Sequence, residues 1–291
     1  MYQYEIAGLK INIETHYKND IYIKERMKVF EKKFSQTPDI TASITESDFI
    51  ETPSANNKII EPENLNWLEK KDNQGFYGFI TRKTTSEIVD ILETDKYWQN
   101  IKITLLNADY YKSFKYDLIE VAGFHLLGTA FRNRILFNDG LVFHASSIID
   151  EGRGLIFTAP SGTGKSTHAG LWEMYRNASV LNDDTPAIRL IDGKPFVFGS
   201  PWSGSSDKFL NAKAIVNAIF ILEQAPMNSI RLLSRKETVV KLMPRIFMPY
   251  FSDELTEIAI CNFERIIRDI PVYMLKCRPD KEAMELAYKC V

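Results

Sequence analysis

Cysteine is scarce in this chain: Cys261, Cys277 and Cys290 are the only three, and none pairs with another in a C-x-x-C spacing. An odd, dispersed set argues against a disulfide framework and against a thiolate zinc site, and it makes a reducing cytoplasm the expected compartment. Charge of one sign is also lacking. Lys plus Arg total 36 and Asp plus Glu total 38, a formal net charge of −2. No electrostatic footprint of duplex nucleic-acid binding follows from that balance, and no Lys/Arg block is present to grip an anionic membrane. No stretch approaches the ~20 consecutive apolar residues of a membrane-spanning helix. The opening residues MYQYEIAGLKINIE carry charges where a signal peptide needs an apolar core. Internal repeats and low-complexity tracts are missing as well.

What remains is an ordinary globular composition, with 45% hydrophobic and 25% charged residues over 291 positions. That excludes wholesale disorder and suffices for one large domain or two small ones. The first 125 residues are irregular. Residues 1–14 alternate as a strand or hairpin with a turn near Gly8. Residues 20–34 have helical periodicity. Residues 51–75, rich in Asn, Pro, Glu and Lys, read as an exposed connection. Residues 76–82 and 101–105 read as strands; 84–98 and 115–137 read as helices. From residue 140 the pattern changes. LVFHASSIID reads as a strand, GLIFTA as another, and a Gly-rich loop leads into a helix over 164–176. ASVLN (178–182) is a short strand, and 187–198 a hairpin turning at Asp192, Gly193 and Lys194. A strand over 214–225, a helix over 236–247, a strand over 270–277 and a helix over 279–290 follow. Strands and helices alternate only partly, so the expected class is α/β (α+β) with a mixed sheet. The expected division is an N-terminal α+β region, 1–125, and a second domain, 126–291.

Residues 159–166 read Ala-Pro-Ser-Gly-Thr-Gly-Lys-Ser. This fits the phosphate-loop pattern G-x-x-x-x-G-K-[ST], with Ala159 at the first glycine, and it lies between a strand and a helix as that motif requires. Gly162 and Gly164 allow the main chain to approach a phosphate closely. Loop N–H groups and the helix N-terminus then point at the anion. Lys165 brings a compact positive charge to the β- and γ-phosphates, and Ser166 offers a hydroxyl to Mg²⁺. Ser161 through Thr167 form the candidate nucleotide-binding set. The bland alternative is a Gly-rich turn before a helix.

Asp183 and Asp184 end the strand that follows, 18 and 19 residues after Lys165. One helix and one short strand span that gap, which puts the pair at the C-terminal edge where open α/β sheets bind ligands. Two adjacent carboxylates can divide two jobs, one on Mg²⁺ and one accepting a proton from an attacking hydroxyl. The alternative is a solvated turn, since Asp-Asp-Thr-Pro is good turn chemistry. Residues 199–208, GSPWSGSSDK, form a small-residue loop around Trp202, with Gly199 and Gly204. It is a candidate substrate loop, or a surface loop with its tryptophan tucked inward. His168 faces either nucleotide or solvent. Glu223 reads as a strand-end surface charge.

The run FHASSIIDEGRGLIFTAPSGTGKST, followed by VLNDD, resembles the C-terminal domain of the HPr serine kinase/phosphorylase family, in the phosphoenolpyruvate-carboxykinase-like P-loop superfamily. The resemblance covers about residues 140–225 well and 226–291 loosely. It implies an ATP- and Mg²⁺-dependent kinase acting on a hydroxyl. It also implies Asp183 as base, Asp184 on the metal, and the histidine before the loop, His144, near the transferred phosphate. A lone histidine on an apolar strand is otherwise a core residue. The C-terminal Gly-Arg-Asn-type signature of true HPr kinases is missing, and residues 1–125 do not resemble their N-terminal domain. HPr is therefore not the expected acceptor; a protein, peptide or small-molecule hydroxyl is. The alternatives are a nucleotide-binding regulatory protein without catalysis, and an ATP hydrolase or phosphorylase.

Overall fold

The computed structural model describes residues 1–16, 21–60, 65–71, 73–82, 86–107, 118–204 and 207–291. They fall into two compact units. The first is Met1–Phe137 with Pro249–Thr256, the second Asn138–Met248 with Glu257–Val291.

The first unit is built on an eight-stranded sheet. Its strands are β1 (Tyr2–Ile6), β2 (Leu9–Thr15), β3 (Ile40–Ser47), β4 (Ala55–Ile60), β5 (Asn66–Lys70), β6 (Gly75–Thr81), β7 (Ile88–Asp95) and β8 (Asn100–Leu106). They lie in the order β1-β2-β3-β8-β7-β6-β5-β4. β2, β3 and β8 run parallel, and every other pairing is antiparallel. Along β2, Leu9, Ile11 and Ile13 are buried and the residues between them are not, the period of a half-buried strand. A short helix, α1 (Ile21–Met27), packs on α2 (Leu118–Arg134), which in turn packs on β3, β7 and β8.

Two expectations for this unit are overturned. The stretch read as an exposed connection contains β4 and β5. The stretch read as a helix over 84–98 contains β7 (residues 84 and 85 lie outside the described set). Ile88, Ile91 and Leu92 have helical spacing, but β7 is flanked on both sides by strands that take its backbone hydrogen bonds. Tertiary pairing outweighs a short periodic signal. The boundary expected after residue 125 falls inside α2, all of which is assigned to the first unit. The segment Pro249–Thr256 completes this unit: Phe251 is buried and stacks on Trp67 with ring centroids 3.9 Å apart and planes 9° from parallel. Phe76 meets the Phe251 ring edge-on at 5.2 Å.

The second unit has the strands β9 (Gly140–Val142), β10 (Ser146–Asp150), β11 (Arg153–Thr158), β12 (Ser179–Asn182), β13 (Ala187–Ile191), β14 (Lys194–Phe198), β15 (Lys213–Gln224), β16 (Ser229–Leu232) and β17 (Val272–Cys277). Its helices are α3 (Lys165–Arg176), α4 (Arg235–Leu242), α5 (Asp253–Ile267), which starts in the segment counted with the first unit, and α6 (Lys281–Tyr288). The sheet order is β12-β10-β11-β15-β14-β13-β9, with β17 beside β15 and β16 beside β17. β11, β15 and β17 are parallel and the rest antiparallel, so the sheet is mixed as expected. The core joins β11, β15 and β17 to α3 and α6 through Phe157, Phe220, Leu275, Trp172 and Met284. The β13–β14 turn places Asp192 and Gly193 at φ of 51° and 75°, the left-handed pair of a type I′ hairpin.

The single strand expected over LVFHASSIID is two strands, β9 and β10, broken at Phe143–Ala145. The break is where the chain bonds to other segments: His144 N–H donates to the Arg245 carbonyl and Ala145 N–H to that of Asp184. The helix expected over 236–247 ends at Leu242, and a 3₁₀ turn containing Pro244 follows. Proline lacks the donor that would continue the helix.

Candidate functional site

The loop after β11 begins at the buried Ala159, turns outward at Pro160 and ends at α3. Gly162 and Gly164 take φ of 76° and 108°, backbone that other side chains rarely adopt. A Cβ built on Gly162 meets nothing within 4 Å, so its glycine is required by conformation rather than by crowding from protein. Gly164 is the N-cap of α3, and no side chain caps that end. The first-turn N–H groups of a helix have no intrahelical acceptor. Ser161, Gly162, Ser166 and Thr167 are exposed, Thr163 is half-buried, and Lys165 is buried. The loop is braced by the Thr163 N–H donating to the Pro160 carbonyl and by Gln224 Nε2 donating to the Thr163 carbonyl.

His144, Lys165 and Asp184 converge. Lys165 Nζ lies 3.3 Å from His144 Nε2, and that same nitrogen lies 3.2 Å from Asp184 Oδ1. One ring nitrogen cannot serve both at once. Without a proton there it accepts from Lys165; with one it donates to Asp184. Burial pulls the Lys165 ammonium below the ordinary lysine range; Asp184 opposes this, Arg245 adds to it, and Asp183 opposes it. The His144 side chain stays part-exposed. It belongs to the strand break described above, not to an apolar strand, so the core reading of this histidine does not hold.

Asp183 is buried, and its Oδ1 accepts from the Gly204 N–H at 2.8 Å. Its carbonyl accepts from Ser146 Oγ, and the Asn182 carbonyl accepts from Ser147 Oγ. These two serine hydroxyls stand in where the β10–β12 register shifts. The turn itself is held by Asn182, whose Oδ1 accepts from the N–H groups of both Asp184 and Thr185. The pair therefore does sit in a turn, with Asp183 buried and Asp184 half-exposed, fixed beside Lys165.

The Gly199–Gly204 segment lies against this turn. Gly199 is buried, and a Cβ on it would overlap the Leu210 carbonyl, so its glycine serves a close approach of two backbones. A Cβ on Gly204 would lie 3.3 Å from the Asp184 Cβ. Trp202 is half-buried, and its carbonyl accepts from Asn182 Nδ2 at 3.1 Å and from Thr185 Oγ1.

Three contributors were not picked out from sequence: Asn182, the Ser146–Ser147 pair, and Arg245. Asn182 adjoins the aspartates and carries the Asx-turn signal; Arg245 comes from a 3₁₀ turn remote in sequence and had no signal. Two other residues are placed outside the site. His168 is buried, packs edge-on against Phe157 and accepts from Trp172 Nε1, and desolvation lowers its pKa to about 4. Glu223 pairs with Lys276 at 2.9 Å on the surface.

Among the described residues, no group of three or more His, Cys, Asp or Glu side chains is arranged to hold a metal ion, and no helix is long and apolar enough to cross a membrane. No protein-family model matches the chain, and no curated protein matches it. Among solved structures, the Hpr(Ser) kinase/phosphatase from Coxiella burnetii is similar at 11% identity and a TM-score of 0.31, over 51% of this chain and 94% of that one.

Proposed function

We propose that this chain is a phosphotransferase that uses ATP with Mg²⁺ to phosphorylate a hydroxyl on a protein, peptide or small molecule. The reading rests on one observation above all. The loop lysine, a histidine from a strand break and a carboxylate from a third segment meet around His144 Nε2, with the buried Asp183 next in chain.

The donor set suits a nucleotide phosphate. Gly162 and Gly164 supply backbone N–H groups, α3 supplies an uncapped N-terminus, and Lys165 a buried cation backed by Arg245. Mg²⁺ fits this site through the Ser166 hydroxyl and the Asp184 carboxylate, because that ion is commonly held by one or two protein groups plus phosphate oxygens; bound there, it would neutralise phosphate charge. Asp183 Oδ1 accepts from the Gly204 N–H, which fixes the carboxylate beside the loop that would carry the acceptor. The acceptor hydroxyl gives its proton to the Asp183 carboxylate as its own oxygen bonds to the γ-phosphorus. The bond from that phosphorus to the bridging oxygen breaks, and ADP leaves. Lys165 stays protonated and holds the phosphate oxygens in place.

The test is incubation with γ-labelled ATP, Mg²⁺ and a panel of HPr, serine- and threonine-containing peptides, and free serine. Transfer of label to a hydroxyl supports the reading. Release of free phosphate with no labelled hydroxyl product favours hydrolysis, and binding of ATP without either favours a regulatory role.

A further inference from the structure

We infer that Asn182 is a positioning residue that ties the Ser200–Gly204 segment to the aspartate pair and so sets where an acceptor hydroxyl meets Asp183; this rests on the phosphotransferase reading. Asn182 is fully buried. Its two ends do different work. Oδ1 accepts from the N–H groups of Asp184 at 2.9 Å and Thr185 at 2.7 Å, which shapes the local turn. Nδ2 reaches a segment distant in sequence and donates to the Ser200 carbonyl at 2.9 Å, with Ser200 Oγ at 3.2 Å and the Trp202 carbonyl at 3.1 Å.

A turn alone needs only the first set. Aspartate would satisfy it equally well, and so would serine in a looser form. The second set requires a donor at the same end of the side chain as the acceptor, which among short side chains of this reach only the carboxamide provides. The segment it holds then returns to the site, because Gly204 N–H donates to Asp183 Oδ1. Asn182, Trp202, Gly204 and Asp183 thus form a closed ring of contacts. Thr185 Oγ1 donates to the same Trp202 carbonyl from the other side of the turn, and Ser200 Oγ donates to the Thr185 carbonyl at 2.9 Å. One buried amide therefore sets both the direction of the proton-accepting carboxylate and the position of the loop beside it. A displacement of about 1 Å in such an arrangement costs up to ~10²-fold in rate.

Two variants test this in the full chain. Asn182→Asp keeps the acceptor oxygen and loses the donor. Thr185→Val removes only the hydroxyl to Trp202 and leaves Asn182 in place, so it reports on the tether should the first variant fold poorly. Three readouts are taken: the ATP·Mg²⁺-induced rise in melting temperature, transfer of label to a mixture of serine-centred peptides at varied concentration, and hydrogen exchange over 199–204 and 160–168. The expected result is an unchanged nucleotide-induced shift, a fall of about 10- to 100-fold in kcat/KM toward the peptides, and faster exchange over 199–204 but not over 160–168. Wild-type exchange over 199–204 in both variants overturns the inference. So does a loss of transfer that merely parallels lost nucleotide binding. Should wild-type protein transfer no label, the phosphotransferase reading falls. The exchange readout then still decides whether Asn182 tethers the loop.

Discussion

Lys165 and His144, 21 residues apart in sequence, meet Nζ to Nε2 at 3.3 Å. The lysine arrives on the first turn of a helix and the histidine on a strand break, so the contact is a product of the sheet rather than of local sequence. Lys165 is buried, yet its ammonium has neighbouring charges of both signs in Asp184, Arg245 and Asp183. A further anion between Lys165 and Arg245 would relieve their mutual repulsion.

Nucleotide binding through Lys165 is therefore expected to stabilise the fold. At ATP·Mg²⁺ near 100 times its Kd, mass action adds about 2.7 kcal/mol, or a rise of roughly 4–5 °C in Tm for a chain of this size. Lys165→Ala should fold and lose most of that rise. Scanning calorimetry with and without ATP·Mg²⁺ checks it, and an unchanged rise in the folded variant removes the loop assignment.

The two aspartates should separate in their effects. Asp183→Asn is expected to keep nucleotide binding and lose about 10²- to 10⁴-fold in turnover, the scale of a lost general base. Asp184→Asn should instead raise the Mg²⁺ concentration needed for half-maximal rate. Initial rates over a Mg²⁺ series distinguish them; wild-type turnover in both would leave the pair as a structural turn.

Trp202 tests the loop from the acceptor side. Trp202→Ala retains the backbone carbonyl that Asn182 and Thr185 bind, so the tether is expected to survive. The expected effect is a higher KM for the acceptor with the ATP-induced Tm shift unchanged. Efficient labelling of HPr that ignores this substitution would reverse the expectation of a different acceptor.

His168 gives a pH dependence of stability. Burial lowers its pKa to about 4 from an ordinary 6.5. Above pH 6.5 it is neutral in folded and unfolded chains alike and contributes no slope. As pH falls from 6.5 toward 4, the unfolded chain takes up a proton that the folded chain refuses, so stability drops, by about 3 kcal/mol over the whole interval. His168→Gln retains an acceptor for Trp172 and cannot titrate. Urea midpoints should fall more steeply with acid in wild-type protein than in this variant; parallel slopes would refute the assignment.

The legible parts of this chain were those written in local chemistry. The loop glycines, the helix that starts after them, the hairpin turn at Asp192–Gly193 and the apolar strands of the second unit all carry short-range signals. The strand at Ile88–Asp95 was not legible, because its apolar spacing suits a helix and only its two flanking strands decide otherwise. His144 read as part of a continuous strand because nothing in LVFHASSIID announces that its backbone bonds lead to Arg245 and Pro186–Asp184. Helix α5 and strand β16 also went unanticipated. Arg245 enters the electrostatics of Lys165 from a turn remote in sequence, and no spacing rule reaches that far.

The stack of Phe251 on Trp67 has a consequence for how the polypeptide is made. A ribosome releases the chain from its N-terminus onward, so every strand of the first unit emerges before the residue that closes its aromatic cluster. Until translation passes Thr256, Trp67 and Phe76 lack that ring, and contacts of such long sequence separation form slowly. Nascent chains stalled short of residue 249 should be cut readily by protease within the first 137 residues. Chains released after residue 256 should gain protection there, while Phe251→Ala should delay or abolish that gain.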